Sequence, residues 1–141
     1  MQIKTDKIII KKQKQDLEII NITDQVNELI ADSGIVKQGF AILFVMGSTA
    51  SISTMEYDPN LIKDFEKALE RISPSNIDYE HHKTWGDFNG KSHIRSSIIG
   101  PGITVPINNS KLMLGAWQKI VLMDFDIQKR EREIIVQIIT E

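Results

Sequence analysis

The apolar positions of the chain follow two spacings, one typical of strands and one typical of helices. The β-branched clusters at residues 8–10 and 17–20 predict two strands near the start. A continuous apolar run at residues 40–46 predicts a strand buried on both faces, and the alternating segment 49–55 predicts its neighbour. The first half of the chain is therefore expected to be rich in β-structure.

Helical spacing occurs at two main places. The first follows Thr23, and its apolar residues are Val26, Leu29 and Ile30. A longer helix is predicted after Asp58, because its carboxylate can cap a helix and Pro59 suits the first helical turn. The apolar face of that helix consists of Leu61, Ile62, Phe65, Ala68, Leu69 and Ile72. Residues 74–90 have no sustained periodicity, and a short third helix is predicted at residues 92–99.

The last third of the chain returns to strand-like patterns. Residues 103–107 and 111–114 predict a hairpin, and residues 117–125 and 133–139 predict two more strands. This order of elements predicts one α+β domain over residues 1–141, with mostly antiparallel pairing, two main helices and a short third helix.

Length and composition narrow the class of protein. With 141 residues, 41% of them hydrophobic and 26% charged, the chain is expected to form one globular core. A net charge of −2 without a basic patch argues against nucleic-acid binding. The chain lacks cysteine, which excludes disulfides and thiolate sites, and no apolar run approaches the ~20 residues of a membrane span. We therefore expect a cytoplasmic protein that does not bind membranes.

Candidate chemistry is concentrated between residues 79 and 93, where all three histidines lie. Imidazole and carboxylate groups bind Zn²⁺ and similar divalent ions, so His81, His93 and Asp87 are candidate metal ligands. His82 is adjacent to His81 and, on an extended segment, points to the opposite side. Because the spacing matches no standard zinc motif, histidines that only form hydrogen bonds are the alternative.

Candidate anion-binding residues surround the same loop. Lys91 and Arg95 can bind a phosphate or a carboxylate, and the predicted start of the third helix adds backbone donors. Ser48 and Thr49 follow the predicted buried strand, where small hydroxyl residues let a ligand approach. The alternative is an ordinary solvated set of polar residues.

Three segments together resemble the YjbQ-like family of small proteins. They are residues 79–125 (YEHHKTWGDFNGKSHIRSSIIGPGITVPINNSKLMLGAWQKIVLMDF), residues 44–59 (FVMGSTASISTMEYDP) and the terminal strand REIIVQI. These motifs occur in the family's order over residues 30–139, in a form similar to that of archaeal members. The family's G-T-W-Q motif corresponds to residues 115–118, so Trp117 and Gln118 become ligand-binding candidates.

The resemblance implies a β-sandwich or jelly-roll-like core assembled as a homotrimer. It also implies a histidine-lined pocket for a divalent metal, with Zn²⁺ as the leading candidate, and for a small phosphorylated ligand. Some members have a secondary thiamine-phosphate synthase activity, which joins a pyrimidine diphosphate to a thiazole phosphate and releases pyrophosphate. On that interpretation Asp87 and His93 handle metal or protons. Lys91 and Arg95 would then stabilise the departing pyrophosphate, and Trp117 would line the pocket.

The chain departs from the family pattern at two histidine positions. Lys91 stands where an H-x-H motif usually begins, and Gly47 stands where an H-T-T-A motif usually begins. A protonated lysine has no lone pair, so Lys91 inside the pocket would disfavour a metal and favour an anion. A non-catalytic protein that binds a phosphorylated or carboxylated ligand is therefore the alternative function.

Overall fold

Two antiparallel sheets dominate the computed structural model, which describes residues 1–34 and 36–141. The strands are β1 (Gln2–Lys11), β2 (Glu18–Asn21), β3 (Gln38–Met46), β4 (Ala50–Glu56), β5 (Gly102–Asn108), β6 (Lys111–Leu112), β7 (Gln118–Asp124) and β8 (Glu131–Thr140). The helices are α1 (Thr23–Asp32), α2 (Pro59–Ile72), α3 (His82–Trp85) and α4 (Gly90–Ile99). The predicted α+β class and the antiparallel pairing are confirmed.

The strand order separates the sheets into a large one and a small one. The five-stranded sheet has the order β1-β8-β3-β5-β6, and the three-stranded sheet has the order β2-β7-β4. In the small sheet Ala50 lies opposite Asp124, and Glu56 lies opposite Gln118. At roughly 3.3 Å per residue, Asp124 and Gln118 are therefore about 20 Å apart at opposite ends of β7.

The inner faces of the two sheets and α1 enclose the main hydrophobic core. Leu43 of β3, Leu122 of β7 and Val136 of β8 are fully buried there, and Val26 adds the apolar face of α1. This cluster contains residues from every strand of both sheets except β2 and β6. The arrangement is the sandwich-like core that the family resemblance implied.

Two helices cover the other face of the small sheet. Leu69 of α2 packs in a second apolar cluster with Met123 and Phe125. The hydroxyl of Ser96 in α4 donates to the carbonyl of Ala50 at 2.6 Å and ties that helix to β4. The three-stranded sheet is thus buried on both faces.

The helix starts show how much local sequence determines. As predicted, α2 begins after Asp58, whose carboxylate accepts a hydrogen bond from the Leu61 N–H at 2.8 Å. The helix α4 begins at Gly90, two residues earlier than predicted, and α3 is a single turn that the sequence did not predict. Among the described residues, no helix has the length and apolar content that a membrane span requires.

The prediction that residues 40–46 are buried on both faces is wrong. Phe40, Phe44 and Met46 are 39%, 47% and 52% exposed on the outer face of the large sheet. Their neighbours across β8 are also apolar, since Phe40 lies opposite Ile139 and Phe44 lies opposite Ile135. The described part of this chain does not cover that face, so an apolar strand remains half open to solvent.

Candidate functional site

A polar cavity of about 390 Å³ lies at one end of the sandwich, where three connections meet. These are the β3–β4 turn, the segment from α3 into α4, and the β7–β8 turn with the start of β8. The residues that line it are Gly47, Ser48, Thr49, His81, Trp85, Asp87, Asn89, His93, Asp126, Arg130 and Arg132. The structure therefore brings together five of the residues predicted from sequence: Ser48, Thr49, His81, Asp87 and His93.

His81 and His93 form an edge-to-face pair with ring centroids 4.7 Å apart. The Nδ1 atom of His93 lies 3.1 Å from the Ser48 carbonyl oxygen. Because a carbonyl oxygen only accepts hydrogen bonds, this contact assigns the proton to Nδ1 and leaves a lone pair on Nε2 when the ring is neutral. The Nε2 atom of His81 is buried without a hydrogen-bond partner, and it lies 4.0 Å from the Asp87 carboxylate.

Asn89 is a cavity residue that the sequence analysis missed. Its side-chain oxygen is buried and has no hydrogen-bond partner among the described residues. An asparagine that precedes a helix usually caps it with its side chain, but at the start of α4 only the Asn89 backbone carbonyl accepts bonds, from Ser92 and His93. The predicted helix began at residue 92, so the position of Asn89 directly before α4 was not visible from the sequence.

The donor set suits a borderline divalent ion, although its members do not converge. The cavity offers two imidazoles, an amide oxygen and the Asp87 carboxylate, which is the N/O chemistry that zinc and related ions bind. Within the described part of the chain, no three His, Asp or Glu side chains stand in a metal-binding arrangement. A metal bound by His81 and His93 would therefore need Asp87 to shift, or a further ligand from Asn89 or water.

A buried ionic network borders the cavity through Thr49, Asp126, Arg130 and Arg132, and the sequence analysis did not identify it. Arg132 binds Asp124 through Nε and Nη2 at 2.7 and 2.9 Å, and Nη2 also donates to the Thr49 hydroxyl at 2.7 Å. Thr49 donates in turn to the Asp126 carboxylate at 2.9 Å. Lys12 donates to the backbone carbonyl of Asp126 and lies 3.4 Å from the Asp124 carboxylate. The network joins both turns and anchors the cavity to the large sheet.

Burial and hydrogen bonding set the charge states in this network. Burial raises the pKa of Asp126, but hydrogen bonds from the Gln128 N–H, the Thr49 hydroxyl and the Arg130 guanidinium outweigh it and lower the pKa overall. Burial lowers the pKa of Lys12, and the nearby Asp124 carboxylate only partly opposes this. Asp126 is therefore an ionised hydrogen-bond acceptor and is poorly suited to act as a general acid.

Lys91 and Arg95, the predicted anion-binding residues, lie outside the cavity. Lys91 Nζ is 2.9 Å from the Asp16 carboxylate, and Arg95 Nη2 is 2.7 Å from the Glu70 carboxylate. Residues two apart on a helix do not share a face, so Lys91 and His93 of α4 point to different sides. The structure does not bring these two cations to the histidines.

Trp117 and Gln118 also lie apart from the histidines. Trp117 is 77% exposed, and Gln118 is bonded to the Thr54 hydroxyl at 2.9 Å and to the Gly115 N–H at 3.0 Å. Both stand at the end of β7 remote from Asp124, about 20 Å along the strand. Within one chain they cannot line the histidine cavity.

Comparison with curated proteins identifies relatives of nearly full length. A UPF0047 protein of Methanocaldococcus jannaschii is 35% identical over 131 residues, which cover 92% of this chain and 90% of that protein. A UPF0047 protein of Archaeoglobus fulgidus is 29% identical over 124 residues, covering 88% and 94% respectively.

Solved structures with this fold include proteins that are described in the same terms. A YbjQ-like protein of unknown function from Sulfolobus solfataricus P2 superposes with a TM-score of 0.92 at 30% identity over 99% of both chains. An uncharacterised YjbQ/UPF0047 protein from Clostridium acetobutylicum superposes with a TM-score of 0.85 at 33% identity, over 95% of this chain and 99% of that one. The family described as UPF0047 protein YjbQ-like matches residues 6–141, and the chain belongs to that family.

Proposed function

We propose that the cavity binds a divalent metal ion, with Zn²⁺ as the leading candidate, together with a small phosphorylated ligand. We further propose a secondary thiamine-phosphate synthase-like activity at this site. The observation that carries the proposal is the buried, unpartnered Nε2 atom of His81 beside His93. A buried polar atom without a partner costs about 1–3 kcal/mol, so the Nε2 atom of His81 needs a partner, such as a water or an ion, that the described residues do not supply.

His81 and His93 would hold the metal, assisted by Asp87 or Asn89. The Ser48 carbonyl already fixes the His93 ring so that its Nε2 is free to bind. The buried Asn89 oxygen needs either a donor or a cation, and it lines the same cavity. These contacts support two positioned imidazoles, which Asp87, Asn89 or water would have to complete as a metal site.

A bound metal would supply positive charge for a departing pyrophosphate, the group on which charge develops in the proposed transfer. The chain itself contributes the orientation of His93 and an aromatic surface at the cavity mouth. Trp85 lines the cavity and is 80% exposed, so its ring is available for a heteroaromatic ligand to stack on.

A non-catalytic binding function is the second candidate. Of the two carboxylates that line the cavity, Asp126 is occupied by Thr49 and Arg130, which leaves Asp87 as the carboxylate available for proton transfer. A site of this kind can bind a phosphorylated or carboxylated ligand without turnover. The second candidate differs from the first because the bound ligand is not converted into a product.

We also propose that the protein is a homotrimer. The open outer face of the large sheet supports this, because Phe40, Phe44 and Met46 present apolar side chains that other copies could cover. A cavity of about 750 Å³ at the edge of the same face, lined in part by Phe40, Met113 and Ile139, adds apolar surface there.

Metal content tests the main proposal. Elemental analysis of the wild-type protein, His81→Ala and His93→Ala should show a stoichiometric metal in the wild type that both variants lose. His82→Ala is the matched control, since His82 is adjacent in sequence but does not line the cavity, and it should retain the metal. A wild-type protein that stays metal-free after exposure to Zn²⁺, Mn²⁺ or Co²⁺ would overturn the metal site.

The same proteins separate the two candidate functions. Metal-dependent release of pyrophosphate from a pyrimidine diphosphate and a thiazole phosphate, lost in His93→Ala, supports the transferase activity. Metal and ligand binding without product supports the binding protein.

A further inference from the structure

Arg132 is buried, yet one of its terminal nitrogens is not used by the ionic network. The residue is 5% exposed, and its Nε and Nη2 atoms make all of its hydrogen bonds to Asp124 and Thr49. The other terminal nitrogen, Nη1, has no acceptor among the described residues. Unlike the unpartnered atoms of His81 and Asn89, it is not sealed from solvent, and Arg132 lines the cavity.

Gly47 keeps this nitrogen uncovered. A Cβ atom at position 47 would stand 2.7 Å from Arg132 Nη1, which is closer than real contacts allow. The backbone of Gly47 also has φ +148°, a conformation that side chains disfavour. Any larger residue here would therefore press against the guanidinium and block its approach from the cavity.

Free donors, and not a net charge, distinguish this part of the cavity. Arg132 is paired with Asp124 and Arg130 with Asp126, and Asp87 is a further carboxylate in the lining. Arg130 lines the cavity as well, and among the described residues its side chain is bonded through Nε alone, at 2.6 Å from Asp126. Two guanidinium groups with free N–H donors suit a tetrahedral oxyanion with several acceptor oxygens.

We propose that Arg132 Nη1 and Arg130, left open by Gly47, form the subsite for the phosphoryl group of a ligand. The inference rests on the proposed function, because it concerns the same cavity and deepens the ligand assignment. It replaces Lys91 and Arg95, which are paired elsewhere. The phosphoryl group would lie against the ionic network, in the cavity that the histidine pair also lines.

Titration calorimetry on chelator-treated, full-length protein tests the subsite without a metal. The probes are inorganic phosphate and phenyl phosphate, which distinguish a free ion from an esterified phosphoryl group. We expect Gly47→Ala and Arg130→Gln each to weaken binding of the tighter probe by about tenfold, because the first covers Arg132 Nη1 and the second removes the Arg130 guanidinium.

Matched controls separate blockage of the subsite from general damage. Gly100 also has a positive φ, +97°, but a Cβ there meets nothing within 4 Å, so Gly100→Ala places a side chain on positive-φ backbone without a steric contact. Arg71 is an exposed arginine of α2, so Arg71→Gln removes the same charge elsewhere. Both control variants should bind the probe as the wild type does.

Two outcomes would overturn the subsite. The first is a wild-type protein that binds neither probe, and the second is an equal affinity of Arg130→Gln and Arg71→Gln for the tighter probe. If Gly47→Ala fails to fold, Arg130→Gln still tests the subsite, because Arg130 is about half exposed and its replacement should leave the fold intact.

The subsite and the metal site can fail separately. Phosphate binding that is retained in metal-free His93→Ala supports the subsite even if the metal proposal fails. Metal binding without phosphate binding leaves the metal site standing and rejects the subsite.

Discussion

The Nζ atom of Lys91 lies 2.9 Å from the Asp16 carboxylate, on the loop between β1 and β2, and not in the histidine cavity. Lys91 stands at a position where the family resemblance implied a histidine, and an ammonium next to a divalent metal would oppose its binding. The pairing with Asp16 removes that objection. The substitution instead connects α4 to the first loop of the chain.

We predict that Lys91 matters for stability and not for metal binding. Its ammonium donates to both Asp16 and Ser75 at 2.9 Å, and its side chain is almost fully buried. Replacing it in Lys91→Met should lower the free energy of unfolding by roughly 1–3 kcal/mol, the usual cost of breaking hydrogen bonds to a buried charged group. Urea unfolding measures the stability, and elemental analysis should show the wild-type metal content. A Lys91→Met protein that has gained or lost metal would place Lys91 in the site after all.

A second prediction concerns acid stability through Glu70. Hydrogen bonds from the Ser75 hydroxyl, helped by the Ser75 N–H and Arg95, outweigh burial and lower the pKa of Glu70 from 4.5 to about 2. A carboxyl group with a lowered native pKa stabilises the fold above its unfolded pKa, and this contribution is lost as the pH falls. The free energy of unfolding should therefore fall between pH 4.5 and 2 more steeply in the wild type than in Glu70→Gln.

The magnitude of that pH effect should be small, because the Glu70 side chain is 42% exposed and solvent screens its interactions. Urea unfolding at a series of pH values measures it. Glu66→Gln, an exposed glutamate on the same helix, is the control and should follow the wild-type pH dependence. Identical slopes for Glu70→Gln and the wild type would show that the pairing with Ser75 and Arg95 does not stabilise the fold.

A third prediction tests the proposed homotrimer. Phe44 is half exposed on the outer face of the large sheet, so Phe44→Glu would place a charge inside an interface that covers this face. Sedimentation velocity should show a trimer for the wild type and a smaller species for Phe44→Glu, with an unchanged far-ultraviolet circular dichroism spectrum. Lys63→Glu, on an exposed position of α2, should remain trimeric. A trimeric Phe44→Glu protein would locate the interface elsewhere.

Local signals in the sequence were enough for most of the elements. The capping carboxylate of Asp58 and Pro59 placed the start of α2 correctly, because both act on backbone groups within the same turn. The burial of residues 40–46 was misjudged for a related reason. A continuous apolar run shows that the side chains are apolar, but it does not show which element covers each face.

The grouping of His81, Asp87 and His93 could be predicted because all three lie within thirteen residues of one segment. Their shared cavity follows from short connections around α3 and the start of α4. The direction of Lys91 could not be predicted in the same way, since it depends on the residue at which α4 begins. A helix that starts at Gly90 turns residues 91 and 93 to different sides.

The chain's own sequence thus determined most of its elements, its class and one wall of the cavity, because those depend on contacts close together along the chain. Only the tertiary structure decided the other wall. Thr49 meets Arg132 across 83 positions, and Lys12 meets Asp126 across 114, because the pairing of Ala50 with Asp124 brings two distant turns together. No local sequence pattern links polar residues that are so far apart along the chain, so their contacts can be identified only from the folded sheets.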